Sequence, residues 1–197
     1  AAGAKNFGIA QSQSPLIMIV DADDYLLPET VPVIRREFAS FPDAGIVFGH
    51  FQQQIAGEHI HPWTSVYPVV DSFGWASPVK LASNWLLIGS SPFRREAFEV
   101  AGGYDPKHPV TDDVDMFRRA LSRGVRAKFI DQTLYLWRRS SSGNNSRATP
   151  RIQAQAWIRN YKFYLQALPA PEFILRLGFA LLDLVGDKHH DRNEILR

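Results

Sequence analysis

The sequence contains no cysteine, no long apolar run and no large excess of charge of either sign. Without cysteine, a thiol nucleophile, a thiolate metal site and a disulfide scaffold are excluded, and a reducing compartment is weakly favoured. The most apolar late stretch, residues 173–185, is interrupted by Arg176 and Asp183, so no transmembrane helix is expected. The 22 Lys and Arg nearly balance the 20 Asp and Glu, which argues against a nucleic acid partner.

Length and composition fit one globular domain. The chain has 197 residues, 45% of them hydrophobic, which is enough for a sizeable core without disulfides or a structural metal. Residues 1–13 are small and polar and lack the apolar segment of a secretory signal. We therefore expect a cytoplasmic protein.

Strand-like and helix-like segments alternate along the chain. Leu16–Val20 is an apolar run typical of a strand buried on both faces in a parallel sheet. This order predicts an α/β fold with a mixed, mainly parallel sheet flanked by helices, and functional groups at the carboxyl ends of strands. Residues 1–150 would form the domain, and 151–197 a helical extension packed on it. The remaining predicted elements are helices over 3–13, 28–41, 112–123 and 152–168 and from 172 onward, strands over 44–51 and 127–137, and a long irregular loop over 59–83.

Asp21, Asp23 and Asp24 follow the first predicted strand directly. Carboxylates two residues apart at a strand end can face one site, and their oxygens suit Mg²⁺ or Mn²⁺ bound to a diphosphate. The same residues could instead cap the helix that begins near Pro28.

Asp112, Asp113 and Asp115 occupy the first turn of a predicted helix. Acidic residues stabilise helix N-termini, so capping alone could explain them, although a cap does not require three acids. An ionised carboxylate here could also accept a proton from a hydroxyl group. The residues alone leave both interpretations open.

Three further features admit either a functional or a structural interpretation. Arg138, Arg139, Arg147 and Arg151 could pair with a diphosphate or be solvated surface residues. Trp63, Trp75 and Trp85 could stack on sugar rings or pack in the core. The last helix could rest on a membrane through Phe173, Leu177 and Leu181, with Arg176 at the edge, or cover the domain core or a partner subunit of a homo-oligomer.

Three motifs occur in a fixed order over roughly residues 4–146. AKNFG is followed by the apolar strand and DADD; SPFRREAF is followed by GGYD; and TDDVDM comes last. Together they resemble the family 2 glycosyltransferases of GT-A fold, whose pattern is Ala-Arg-Asn-x-Gly, a strand, Asp-x-Asp-Asp and a later Glu-Asp-x-Asp. The family's N-terminal nucleotide-binding strands have no counterpart in this sequence, so the resemblance implies an N-terminally truncated domain.

The resemblance implies a role for each matching residue. Asp23 would bind a divalent metal, Mn²⁺ or Mg²⁺, and Asp21 would contact the donor ribose or the metal. Asp113 would be the general base of an inverting transfer, beside Asp112 in the Glu position. Lys5 replaces the usual Arg and would approach the donor phosphates.

The implied activity is metal-dependent transfer of a sugar from a nucleotide-sugar donor to a hydroxyl of a glycan or lipid-linked acceptor. Such a reaction belongs to polysaccharide or cell-envelope assembly and could take place at the inner face of the membrane, with Arg138 on the donor side and Trp85 on the acceptor side. Where many relatives carry Arg-x-His, this chain has Ser140, so no histidine ligand is expected. A noncatalytic module that binds sugar, nucleotide or protein is the alternative. A phosphotransferase is disfavoured because no glycine-rich phosphate loop is present.

Overall fold

A computed structural model of the protein describes residues 2–55, 60–63, 70–77, 90–107, 112–139 and 150–185. In these ranges helices flank a six-stranded sheet, as expected for an α/β protein. The helices are α1 (Ala2–Gln11), α2 (Thr30–Ser40), α3 (Arg95–Ala101), α4 (Asp112–Ser122), α5 (Pro150–Arg159), α6 (Tyr161–Ala167) and α7 (Ala170–Val185). The strands are β1 (Leu16–Ile17), β2 (Tyr25–Leu26), β3 (Ala44–Ile55), β4 (Ile60–Trp63), β5 (Phe93–Arg94) and β6 (Arg126–Arg139).

The sheet is mixed, which confirms the predicted fold class. Its strand order is β1-β5-β3-β6-β2, and β4 pairs with the far end of β3. β3 and β6 form a long parallel ladder, whereas the pairs made by β1, β2, β4 and β5 are antiparallel. Among the described strands, the expectation of mainly parallel pairing therefore holds only for the longest ladder.

The apolar run after α1 is a short edge strand and not the predicted interior parallel strand. Only Leu16 and Ile17 pair, antiparallel, with Arg94 and Phe93 of β5. The apolar composition reflects burial on both sides of the chain, because alternate residues contact different cores. Ile17 and Ile19 pack with one cluster, and Leu16 and Met18 pack with the other.

Two apolar clusters cover the two faces of the sheet. Alternation along β3 sends Ile46 and Phe48 to one face and Val47 and Phe51 to the other. The first face is covered by α1, α3 and α4, and the second by α2. Val31, by contrast, is 50% exposed on the outer side of α2.

The segment predicted as one helix over 152–168 is two helices, α5 and α6, separated at Asn160. Asn160 is buried, and its side-chain Nδ2 donates a hydrogen bond of 3.0 Å to Oδ1 of Asp115 in α4. The apolar spacing of the sequence continues through Asn160. It therefore could not predict a break at a residue that contacts Asp115, 45 positions away in sequence. The region predicted to be irregular likewise contains β4, which pairs with β3.

The C-terminal helices form a small aromatic cluster and contact α4. The Trp157 ring stacks on Tyr164, with centroids 4.6 Å apart, and lies 5.6 Å from Phe173. The guanidinium of Arg118 lies over the Tyr164 ring at 4.8 Å. The proposed division of the chain at residue 150 stays a prediction. In the part of the chain that the structure describes, no helix combines the length and the apolar character needed to cross a membrane.

Candidate active site

A tight acidic turn lies between β1 and β2. The amide of Asp24 donates to the carbonyl of Asp21 at 3.0 Å, which closes the turn. The side chains of Asp21 and Asp23 are exposed, and that of Asp24 is half-buried. β2 pairs with β6, and this pairing brings Arg138 beside the turn.

Arg138 holds the acidic turn in place. Its backbone N–H donates to Oδ1 of Asp24 at 2.9 Å, and its Nε donates to the carbonyl oxygen of Asp23. The guanidinium also lies 4.6 Å from the ring centroid of Tyr25. The predicted donor-side arginine is therefore adjacent to the predicted metal ligands, with part of its hydrogen-bonding capacity used to position them.

The three acids at the start of α4 have different environments. Asp112 is buried and forms an ion pair of 3.1 Å with Nζ of Lys5. Asp115 is also buried, and it pairs with Arg119 at 2.7 Å and with Asn160. Among the described residues Asp113 forms no ion pair, and it accepts a hydrogen bond of 2.8 Å from the amide of Val114. Ion pairing therefore explains Asp112 and Asp115. Among the described residues it does not explain Asp113.

Lys5 and Asn6 of α1 connect the N-terminal motif to the loop before α4. The Nζ of Lys5 lies 5.1 Å from the ring centroid of Tyr104. Asn6 receives a hydrogen bond from the amide of Tyr104 at 2.9 Å and donates one to its carbonyl at 2.8 Å. These contacts fix Tyr104, which is 2% exposed, against the acidic cluster.

The pKa values of Asp113 and Tyr104 respond to charges from both acidic motifs. Burial raises the pKa of Asp113, and the charges of Asp112 and Asp21 raise it further, while Lys5 and the Val114 amide lower it. Burial also raises the pKa of Tyr104, with added contributions from Asp113, Asp112 and Asp21. The charge of Asp21, in the turn after β1, therefore contributes to the raised pKa of Asp113 on α4.

The far side of the site contains Asp24 and Tyr135. Burial and the neighbouring charges of Asp21 and Asp23 raise the pKa of Asp24 to about 6, although Arg138 opposes the shift. Burial, followed by the charges of Asp24, Asp113 and Asp21, raises the pKa of Tyr135. The site thus concentrates negative charge that a cation would relieve.

Among the described residues, the hydroxyl of Tyr104 and Oδ2 of Asp112 are buried polar atoms without a hydrogen-bond partner. Unpaired buried groups of this kind are rare in folded proteins and are associated with functional sites. In the described part of the chain, no three His, Asp or Glu side chains are grouped as a metal site. The candidate metal ligands are therefore the exposed carboxylates of Asp21 and Asp23, whose hard oxygens suit Mg²⁺ or Mn²⁺.

Among the predicted site residues, Lys5 pairs with Asp112, and Arg138 binds the Asp21–Asp24 turn, while the roles of these residues and of Asp113 stay predictions. Trp85 lies outside the described residues. Trp75 is a packing residue, because its ring contacts Phe41 edge-on at 6.1 Å and lies beneath the Arg126 guanidinium at 3.7 Å. Sequence reasoning assigned no role to Asn6, Tyr104 or Tyr135. The only signal was that Asn6 and Tyr104 stand inside the quoted motifs, AKNFG and GGYD.

The fold is similar to that of the GT-A glycosyltransferases. The chain belongs to glycosyl transferase family 2, whose family model matches residues 1–99. This match includes Lys5 and the Asp21–Asp24 turn and ends before Asp112 and Asp113. No curated protein sequence matches the chain significantly.

Solved glycosyltransferase structures share the fold at low sequence identity. S. aureus TarS has a TM-score of 0.64 and 12% identity, and the match covers 98% of this chain and 32% of TarS. TarS 1-349 in complex with UDP-GlcNAc has a TM-score of 0.64 and 14% identity, with 90% of this chain and 51% of that one covered. The mannosyltransferase PcManGT from Pyrobaculum calidifontis, in complex with GDP-Man and Mn²⁺, has a TM-score of 0.52 and 18% identity, with 100% and 57% covered. The chain thus spans between about a third and three-fifths of the length of these proteins.

Proposed function

We propose that the protein transfers a sugar from a nucleoside diphosphate donor to a hydroxyl group of a glycan or lipid-linked acceptor, with inversion and with a divalent metal. The observation that carries this proposal is that Asp21 and Asp23 are exposed in the turn after β1 while Asp113, at the start of α4, has no ion pair among the described residues. Family membership and neighbours solved with UDP-GlcNAc and with GDP-Man and Mn²⁺ support the donor class. The reaction would take place in the cytoplasm and serve polysaccharide or cell-envelope assembly.

Asp21 and Asp23 fit the requirements of a divalent cation site. Both carboxylates are exposed at the end of β1, where a diphosphate can approach. Mg²⁺ commonly uses only one or two protein carboxylates and completes its shell with water and phosphate oxygens, so two aspartates suffice. Mn²⁺ or Mg²⁺ bound here would offset the negative charge of the departing nucleoside diphosphate. Arg138, beside the turn, would contact the donor phosphates.

Asp113 is the proposed general base. It would accept the proton of the acceptor hydroxyl as the hydroxyl oxygen attacks the anomeric carbon and the bond from that carbon to the diphosphate breaks. Burial makes its carboxylate a stronger base, and the nearby charge of Lys5 favours the ionised form that can accept a proton. Lys5 and Asp112 act as positioning residues, because their ion pair anchors the first turn of α4 to α1. Trp85 would contact the acceptor, an assignment that the sequence alone supports.

Thermal unfolding with nucleotides tests the donor and metal part of the proposal. The protein and its Asp23→Asn variant would be heated with UDP, GDP, CDP or dTDP, each with and without Mn²⁺. Ligand at a hundredfold excess over Kd stabilises the folded state by about 2.7 kcal/mol. We expect a Mn²⁺-dependent rise in Tm with one nucleotide, lost in Asp23→Asn. A nucleotide that raises the Tm equally without Mn²⁺ or in Asp23→Asn would contradict the metal assignment.

A further inference from the structure

Helix α7 presents a wide apolar face to solvent. Ile174, Leu175, Leu181 and Leu182 are 66%, 43%, 49% and 53% exposed. At 3.6 residues per turn these four residues and Gly178 fall within about one third of the helix circumference, and no charged residue lies among them. We call these five residues the C-terminal apolar face. Exposed groups of large apolar side chains of this kind typically mark an interaction surface.

The opposite side of α7 already attaches the helix to the protein. Phe173 packs on Trp157, and Ala180 is 5% exposed. Glu172 and Arg176 form an ion pair of 3.0 Å one turn apart. Of the two alternatives that the sequence left open for Phe173, its ring takes the packing one, because it lies against Trp157 in the aromatic cluster. The C-terminal apolar face is a second apolar surface that these internal contacts do not use.

The charge of the neighbouring chain favours an anionic partner. Between Asp131 and Glu172 the sequence contains six basic residues and no acidic one. The rest of the chain then has 16 Lys and Arg against its 20 Asp and Glu, so the charge is distributed unevenly. The six are Arg138, Arg139, Arg147, Arg151, Arg159 and Lys162. Arg151 and Lys162 are exposed on α5 and α6, which pack against α7, and Arg159 forms an ion pair of 3.4 Å with Asp105.

We propose that the C-terminal apolar face binds the surface of an anionic membrane, with α7 lying in the plane of the interface. Apolar side chains that enter the headgroup region and basic residues that attract anionic lipids are the two contributions that such binding needs. A second copy of the chain would carry the same basic residues and be repelled by them, whereas anionic lipid is attracted. Since no described helix is suited to crossing a bilayer, contact in the plane is the mode that α7 allows. This inference does not depend on sugar transfer.

Vesicle flotation of the protein tests the inference directly. Phosphatidylcholine vesicles with and without phosphatidylglycerol would be compared for the protein, for Ile174→Gln with Leu181→Gln, and for Arg151→Gln with Lys162→Gln. The control Val31→Gln changes a similarly exposed apolar residue on α2. All the substituted side chains are exposed, so each variant should keep the Tm of the parent protein.

We expect flotation with the anionic vesicles only, unchanged in Val31→Gln. The partition coefficient should fall about tenfold or more in Ile174→Gln with Leu181→Gln. Transfer of one leucine side chain out of water is already worth about a tenfold change, and this variant loses two apolar side chains. It should also fall, and become less sensitive to salt, in the charge variant. Absence of flotation, equal flotation of the α7 variant, or a dimer in solution that the α7 substitutions dissociate would each overturn the proposal.

Discussion

At the scale of single residues, one helical turn contains three aspartates with different roles. Asp112 pairs with Lys5, and Asp115 pairs with Arg119 and Asn160, so two of the three charges are neutralised locally. Asp113 has no such partner among the described ion pairs. The repulsion expected from such closely spaced acids is therefore reduced by pairing, and the remaining carboxylate is available for chemistry.

Asp24 should make stability depend on pH. Its pKa is about 6 in the folded protein, above the ordinary 3.8, so between about pH 4 and pH 6 the folded state keeps a proton that the unfolded state loses. Stability should therefore fall as the pH rises through this window and stay low at neutral pH. Asp24→Asn should be more stable than the parent at neutral pH by about 1 kcal/mol, allowing for the half-exposed side chain, with no gain at pH 4.

Urea unfolding in metal-free buffer at several pH values measures this effect. A chelator is needed, because a cation bound by Asp21 and Asp23 would lower the pKa of Asp24. The control Asp43→Asn removes an exposed acid that pairs with Arg126 at 3.3 Å and should show no gain at neutral pH. Equal stability of Asp24→Asn and the parent across this range would contradict the assignment.

At the scale of elements, the junction after α3 positions Tyr104 beside the site. Gly102 ends the helix in a left-handed conformation with φ of 80°, and Gly103 follows with φ of 75°. The amide of Gly103 returns to the carbonyl of Phe98 at 3.0 Å. A Cβ at position 103 would lie 3.2 Å from Cζ of Phe98 and 3.3 Å from Oδ1 of Asn6, the residue that holds the Tyr104 backbone.

Gly103→Ala should therefore destabilise the protein by about 2 kcal/mol or more, since left-handed strain and crowding both act there. Thermal unfolding measures the cost. Two control substitutions separate the causes. Gly124→Ala has φ of 89° and open space around the added methyl group, so it should show the strain alone, about 1–2 kcal/mol. Gly8→Ala lies in α1 with open space and should be neutral or stabilising. A Gly103→Ala variant as stable as Gly8→Ala would contradict this account.

At the scale of the whole molecule, the sequence predicted the elements whose signals are local. The helix of Asp112–Ser122 and the strands around residues 44–51 and 127–137 follow from apolar spacing and length. Both acidic motifs were also recognised in the sequence, from the spacing of their aspartates and from their order along the chain. These signals were enough for the fold class, and the roles of the site residues stay predictions.

Features that depend on long-range contacts could not be predicted in this way. At the break between α5 and α6, the side-chain amide of Asn160 binds Asp115. In the apolar run after α1, two of the described residues pair with β5, so the run forms a short edge strand. Likewise, the different environments of the three aspartates at the start of α4 depend on Lys5, which is distant in sequence. The clamp of Asn6 on Tyr104 joins positions 98 residues apart.

The most direct test of the account is to measure transfer and donor binding together in Asp113→Asn. The donor would be the nucleotide sugar whose nucleotide stabilises the protein, and turnover would be followed as released nucleoside diphosphate. Because Asp113 is the proposed base and not a metal ligand, we expect Mn²⁺-dependent donor binding to be kept, while kcat falls about 10²–10⁴-fold. Unchanged turnover in Asp113→Asn, with the same donor affinity, would contradict the claim that the two acidic motifs form one active site.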